Sequence, residues 1–335
     1  MVDEGSHKIM RIVLLDITIS DTNLGNAIIM GAAEKHLREV FPEAFFTRVP
    51  SFDGLGPASR DLVRRADLVF LCGANTLYSH LWLFKPWRVG IRDALWMRNK
   101  VVTVGVGWMR HKRLSERWMK PDVYTQIVYR LALSKEYYHA VRDNYAERRL
   151  QEIGFKVLNT GCPSLWQLST EHCRSIPREK GRYALMTLTC YRPDAQADRK
   201  FFEIVRRHYA KVFFWAQQPK DWTYAHEVFQ GDAGSIEFLT PSLEALDHLL
   251  ASEMSVDYVG TRLHAYVRAL QHGRRAINVG VDDRAAEMAR DFNLCVVPRG
   301  EWQLLEERIV QPFETRLRVP EENIRLFKAQ FQKGA

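Results

Sequence analysis

Two side chains with clear chemical potential stand two positions apart, Arg262 and His264, in the stretch Val259-Gly-Thr-Arg-Leu-His-Ala-Tyr-Val-Arg-Ala-Leu-Gln-His-Gly273. A guanidinium is a permanent cation that grips carboxylates and phosphates, and an imidazole exchanges a proton near neutral pH. The residues around them dictate how they are held. Leu263, Tyr266/Val267 and Leu270 recur at helical spacing, while 255–259 and 276–281 read as buried strands on either side. Thr261 is placed to cap that helix and Gly273 to end it in a left-handed turn. A strand turning straight into a helix aims free N–H groups at one point, and the helix dipole makes that point attractive to an anion. Cations at the same end oppose the dipole by roughly 0.3–1 kcal/mol each. An anionic ligand between Arg262 and the helix would account for them. So would an Arg262 paired with a carboxylate from another loop, beside a partly buried His264. Both readings stand at this level.

Other loops offer weaker signals. After the first predicted strand, Asn23, Gly25 and Asn26 supply a tight turn and backbone amides, suited to a phosphate or simply to a turn. After the third comes Cys72-Gly-Ala-Asn-Thr76, where Gly73 permits close approach and Asn75 and Thr76 offer polar contacts; Gly105 and Gly107 follow the next strand. Five of the nine tryptophans (Trp82, Trp87, Trp96, Trp108, Trp118) alternate with Lys85, Arg88, Arg92, Arg98, Arg110, Lys112 and Arg113. Aromatic faces suit sugar rings, and the cations suit phosphate or an anionic lipid surface. Core packing under a solvated basic face is the alternative. Asn75, Trp108 and Arg110 are the candidate contacts to a sugar. No Ser/His/Asp arrangement, Walker A loop, Gly-x-Gly-x-x-Gly or His-Glu-x-x-His motif is present.

These loops need a scaffold. From residue 10 the chain alternates apolar strands with amphipathic helices: strands at 11–17, 44–49, 67–71, 101–106, 139–142 and 156–159, with helices between. The polar, Pro177-containing stretch after 169 reads as a linker. Alternation then resumes, with strands at 183–189, 212–215, 236–239, 255–259, 276–281 and 294–297. Helices are expected at 199–209, 225–229, 243–252, 284–292 and 301–308. Such alternation means α/β, with parallel sheets covered on both faces. The expected architecture is two Rossmann-like doubly wound domains facing a cleft. They span residues 10–170 (the acceptor side) and 182–310 (the donor side), joined by a linker at 171–181. A C-terminal helical segment, 311–335, runs back to the first domain. Ligands of open α/β sheets bind at the carboxyl ends of strands, where the loops above lie.

With 335 residues, a net charge of +8 and a pI near 9.2, the chain favours acidic partners. The charge is spread along it and no nucleic-acid motif is present, so small anions fit best and nucleic acid is not expected. Five scattered cysteines without a Cys-x-x-Cys pair exclude a disulfide framework and a structural zinc site, and point to a reducing cytoplasm. The apolar run 66–84 is broken by Gly73, Asn75, Ser79 and His80 and is not a transmembrane span. Residues 1–9 read as a polar leader, with the fold starting near Met10.

With the loops in order, the chain resembles the polysaccharide pyruvyl transferase family. The specific piece is Gly260-Thr-Arg-Leu-His-Ala265 with Ala269-Leu270 and Gly273, similar to the family's Arg-Leu-His motif. Asn23-Leu-Gly-Asn26, the segment from Ala66-Asp67 through Gly73, and Val141-Arg-Asp143 with Leu150 and Gly154 support it. Asn26 replaces the family's usual Asp, and Ala74 the second Gly of a pair, which puts any carboxylate role at position 26 in doubt. The resemblance implies a fold similar to glycosyltransferase B type. It implies transfer of an enolpyruvyl-derived unit from phosphoenolpyruvate to two sugar hydroxyls, giving a cyclic ketal. Arg262 and His264 would be catalytic; Arg262, Thr261, Leu263, Asn23, Gly25 and Asn26 would hold the donor; and no metal or separate cofactor would be required. A glycan or lipid-linked sugar would be the acceptor, which suggests peripheral contact at the inner face of the membrane. A homo-oligomer is left open. A nucleotide-sugar glycosyltransferase of the same shape, or a non-catalytic glycan-binding relative, are the alternatives.

Overall fold

A computed structural model describes residues 9–109 and 119–332, the side chains at 233, 283 and 284 excepted. The chain divides into two compact units. The first gathers the chain up to Asp21, Ile29–Trp166 and the segment from Pro320 on; the second comprises Thr22–Ile28 and Gln167–Val319.

In the first unit the order is β1 (Arg11–Asp16), α1 (Leu24–Val40), β2 (Phe45–Pro50), α2 (Pro57–Arg65), β3 (Leu68–Cys72), α3 (Ile91–Trp96), β4 (Val101–Val104), α4 (Val123–Ala132), β5 (His139–Val141), α5 (Asn144–Glu152) and β6 (Val157–Asn159). β2-β1-β3-β4 form a parallel sheet and β5-β6 a parallel pair. The pair is stitched to β4 by a bridge between Val106 and Val141 and by Gly105 N–H donating to Ala140 O at 2.9 Å. β3 is apolar and buried at every position, as a strand covered on both faces must be. Val69 and Leu71 face a core that includes Val13, Leu15, Val63 and Tyr129. On the other face Phe70 packs with Phe41 and Phe331. Asp122 and Asp143 cap α4 and α5, accepting from Thr125 N at 2.7 Å and Ala146 N at 2.8 Å.

One buried group of this unit makes stability depend on pH. His139 is fully buried in β5; its Nδ1 accepts from Thr103 N–H at 3.2 Å and its Nε2 faces Ser134 O at 2.8 Å. Burial pushes its pKa down to about 4. The unfolded chain therefore takes up a proton near pH ~6.5 that the folded chain refuses until about pH 4. The sign is a loss of stability as pH falls through this window, reaching about 3 kcal/mol at its lower end. Urea unfolding at both ends of the window should show this loss in the native protein and a smaller one in His139→Gln. Equal losses would remove the assignment.

The second unit runs α6 (Thr170–Ser175), β7 (Tyr183–Met186), α7 (Ala195–His208), β8 (Lys211–Phe214), α8 (Pro219–Val228), β9 (Ile236–Phe238), α9 (Leu243–Ala251), β10 (Val256–Gly260), α10 (Leu263–Gln271), β11 (Ala276–Gly280), α11 (Asp283–Phe292), β12 (Val296–Pro298) and α12 (Trp302–Val310). Its six strands are parallel in the order β12-β11-β10-β7-β8-β9. Numbered from β7 as the first, this is the Rossmann order 3-2-1-4-5-6, with its switch point between β7 and β10. Asp257 of β10 and Arg275, both buried, pair at 2.8 Å, and Tyr209 OH donates to the same carboxylate at 2.8 Å. The last helix, α13 (Glu321–Ala329), groups with the first unit, where Asn323 Nδ2 donates to Asn159 O at 2.9 Å.

Three local expectations are corrected. The stretch read as a linker contains helix α6, because Ser169 caps it by accepting from His172 N at 3.2 Å. α8 starts at Pro219, six residues before the predicted helix, since proline fits the first helical position, where no intrahelical N–H is needed. Thr261 does not cap α10. The N-cap is Arg262 and no side chain caps it, while the Thr261 hydroxyl bonds Thr189 Oγ1 at 2.8 Å.

Candidate functional site

The carboxyl edge of the second sheet collects the residues that the sequence singled out. At the switch point, β7 continues into Thr187–Thr189 and β10 into Gly260–Arg262. Gly260 is required there: a Cβ would come within 2.4 Å of Thr187 Oγ1 and 2.6 Å of the Tyr258 hydroxyl. Those hydroxyls bond each other at 2.7 Å, and each accepts the Arg262 N–H at 3.1 Å. Tyr258 OH then donates to Arg262 O at 2.7 Å. The entry to α10 is thus fixed by the buried hydroxyls beneath it. Its first-turn amides, Leu263 to Ala265, have no intrahelical acceptors, as at every helix start.

Arg262 is buried, and its guanidinium is paired with the fully buried carboxylate of Asp221 in α8. Its Nε donates to Leu188 O at 3.3 Å, and the Tyr191 ring lies 5.0 Å from its carbon. Asp221 also accepts from Cys190 N at 3.1 Å and Gln218 N at 3.2 Å. Burial and the neighbouring Asp221 carboxylate push the Cys190 thiol pKa up. Of the two sequence readings of Arg262, the pairing with a carboxylate from another loop is the contact present. The cation is therefore balanced, and it ties β7, β10 and α8 together. His264 lies at the second position of α10 and is half-buried.

Asn23, Gly25 and Asn26 join this same unit although they lie near the start of the chain. Leu24 N–H donates to Gln217 O at 2.9 Å, and Gln217 Nε2 donates to Asn23 Oδ1 at 2.9 Å. Gly25 admits that contact, since a Cβ there would meet Gln217 Nε2 at 2.6 Å. Gln218 Nε2 donates to Cys190 Sγ at 3.3 Å, and Cys190 in turn lies 3.9 Å from Arg262 Nη2. The two recognised motifs are thus linked through consecutive residues, Gln217 bonding the first and Gln218 reaching the second through Cys190 and Asp221. Asn26 is half-buried inside α1.

Two residues of this edge escaped sequence reasoning. Gln217 is buried, and its Oε1 accepts no hydrogen bond among the described residues. Asn278, in register with Gly260 on the neighbouring strand, is fully buried with both amide atoms unbonded among the described residues. Each unpaired group costs about 1–3 kcal/mol. The only signal in the sequence was a polar residue inside the apolar run Ala276–Gly280.

The first unit's carboxyl edge has its own polar cluster. Gly73 and Ala74 both take positive φ, 64° and 53°, so Ala74 holds a conformation better suited to the glycine usual at that position. Asn75 Oδ1 accepts from Arg142 Nη2 at 2.6 Å, and Arg142 Nε lies 3.5 Å from Asp143. A Cβ at Gly107 would strike both partners, at 2.4 Å and 2.5 Å. Arg142, a half-buried cation after a strand, is a candidate that the Val-Arg-Asp triplet signalled only as a motif. Trp108 is a correction: it is 3% exposed, its Nε1 donates to Ser79 Oγ at 3.0 Å, and it packs edge-on against Tyr129, so it offers no face to a sugar. Arg110 lies outside the described residues. Among the described residues no group of His, Cys, Asp or Glu forms a metal site, and no helix is long and apolar enough to cross a membrane.

Two parallel sheets alternating with helices, the second in the Rossmann strand order, place the chain among Rossmann-type α/β proteins of the glycosyltransferase B kind. A UDP-GlcNAc 2-epimerase from Neisseria meningitidis, solved with UDP-GlcNAc bound, is similar at 11% identity and TM-score 0.50, covering 97% of this chain and all of its own. The E. coli heptosyltransferase WaaC with ADP-2-deoxy-2-fluoro heptose is similar at 14% identity and TM-score 0.41, over 81% of this chain and 88% of its own. No curated protein sequence matches. The polysaccharide pyruvyl transferase family model matches residues 23–283, well over half the chain. The chain belongs to that family and is a transferase.

Proposed function

We propose that this transferase takes phosphoenolpyruvate as donor and sets a cyclic pyruvate ketal on a sugar of a polysaccharide or of its lipid-linked precursor. One observation carries the reading: in a member of this family, Asn23–Gly25 and the Thr261–His264 turn are linked through Gln217 and Gln218 at a Rossmann switch point. Phosphoenolpyruvate presents a carboxylate and a phosphate. Leu263 and Ala265 N–H, at the positive end of α10, suit one of these anions. Arg262, balanced by Asp221, fixes that turn and supports the donor from beneath. His264 moves the proton. A proton added to the donor's methylene carbon makes it a methyl. One sugar hydroxyl adds to the adjacent carbon and gives up its proton; the second displaces phosphate and gives up its own, closing the ketal. One of these two protons replaces the one spent on the methyl group, and the other leaves with phosphate. Asn75 and Arg142 of the first unit are the contacts assigned to the acceptor.

Nucleoside diphosphates also bind at Rossmann switch points, so the decisive experiment compares the two donor classes. Phosphoenolpyruvate should raise the melting temperature, by the equivalent of about 2.7 kcal/mol at a hundredfold excess over Kd, and should release phosphate only when an acceptor glycan is present. Stabilisation by UDP or ADP with none by phosphoenolpyruvate would replace this reading with the glycosyltransferase one.

A further inference from the structure

We infer that the first unit docks on an anionic membrane surface through the turn Trp82-Leu83-Phe84 and the outer faces of α3 and α4. Three consecutive large apolar residues at one turn are 58%, 58% and 47% exposed. The turn is held rigidly rather than left loose. Leu81 N–H donates to Thr125 Oγ1 at 2.9 Å, His80 Nδ1 lies 2.9 Å from Asp122 Oδ2, and Phe84 packs edge-on against Tyr78. These bonds seat it on the N-terminus of α4, where Val123 and Ile127, one turn apart, are 73% and 44% exposed. α3 packs beside α4 and adds Leu95, 52% exposed. Apolar side chains of this size are normally exposed singly, and a cluster marks a contact surface.

Charge selects the occupant. Arg92 and Arg130 are exposed on these helices, and Lys85, Arg88, Arg98 and Lys120 in the segments flanking them. Between Ser79 and Ser134 the only described acidic residues are Asp93 and Asp122. Both are engaged at helix starts, Asp93 with Gly90 N–H at 3.1 Å and Asp122 with Thr125 N–H at 2.7 Å. A second copy meeting this face about a two-fold axis would set cations against cations. An anionic bilayer takes both parts: tryptophan and phenylalanine enter the headgroup boundary while lysine and arginine meet lipid phosphates. The inference is independent of which donor the second unit binds.

Co-sedimentation of the full chain with vesicles tests it, using phosphatidylcholine alone against phosphatidylcholine with about one-third phosphatidylglycerol. The native protein should sediment with the anionic vesicles and far less with the neutral ones. The substitutions W82S, L83S and F84S together should weaken binding by about tenfold or more; the pair W82S and L83S, which leaves the Phe84–Tyr78 contact in place, should weaken it with an unchanged melting temperature. K85E with R88E should weaken it while leaving the apolar turn intact. Equal sedimentation of native and substituted proteins would overturn the inference. So would a native dimer in analytical ultracentrifugation that the triple substitution converts to monomer, because the face would then belong to a second copy.

Discussion

Asp221→Ala should destabilise the second unit by about 3–5 kcal/mol, one of the largest effects expected of any single substitution in this chain. The change leaves the Arg262 guanidinium buried with its Nε on Leu188 O and no counter-charge. It also removes the acceptor for Cys190 and Gln218 N–H. Arg262→Ala should cost a similar amount by the converse route, stranding a carboxylate that is fully buried. The double variant Asp221→Leu/Arg262→Met should recover most of the loss, because well-packed apolar residues often replace a buried ion pair at little cost. Urea unfolding of the four proteins measures the cycle; single losses under about 1 kcal/mol would mean that the pair is not the fastening described. The double variant also separates two roles. If it folds and still binds phosphoenolpyruvate, Arg262 acts only through the shape of the turn. If it folds and no longer binds, the cation itself contributes to the donor site.

That pair shows where the sequence stops speaking. The Gly-Thr-Arg-Leu-His turn was visible because a buried strand, a tight turn and a helical stripe follow one another locally. Asp221 was not, because it lies 41 positions away on a helix whose start the sequence misplaced at 225. The strands were legible because both faces are covered, which forces runs such as Leu68–Cys72 to be apolar throughout. Strand order was not, since pairing of parallel strands leaves no trace in local composition. The switch point of the second sheet, which explains why the loops after β7 and β10 share an edge, emerged only with that sheet. Trp108 failed for a simpler reason: residue type suggests sugar stacking, but its hydrogen bond to Ser79 turns the indole into the core. Gln217 and Asn278 were missed because an amide in an apolar context reads as an isolated oddity until the amide atoms that find no partner among the described residues are seen.

His264→Gln should lower kcat by about 10²–10⁴-fold while leaving the melting-temperature rise with phosphoenolpyruvate largely intact. His264 stands at the second position of α10, in the same first turn as the amides assigned to the donor, while Thr187, Tyr258 and Asp221 bond that turn from beneath. Glutamine keeps polarity and approximate size but cannot carry a proton at neutral pH. A loss of kcat with little change in KM or in unfolding free energy is then the mark of proton transfer, since an interaction made only in the transition state lowers kcat alone. A merely structural histidine would instead lower stability and donor binding together. His264→Ala supplies the complementary arm, because added imidazole should restore part of its turnover if the missing group is a proton carrier. Near-normal turnover in the glutamine variant would exclude that role, and would move attention to Tyr191, whose ring covers the Arg262 guanidinium and whose hydroxyl donates to Asp282 at 3.0 Å.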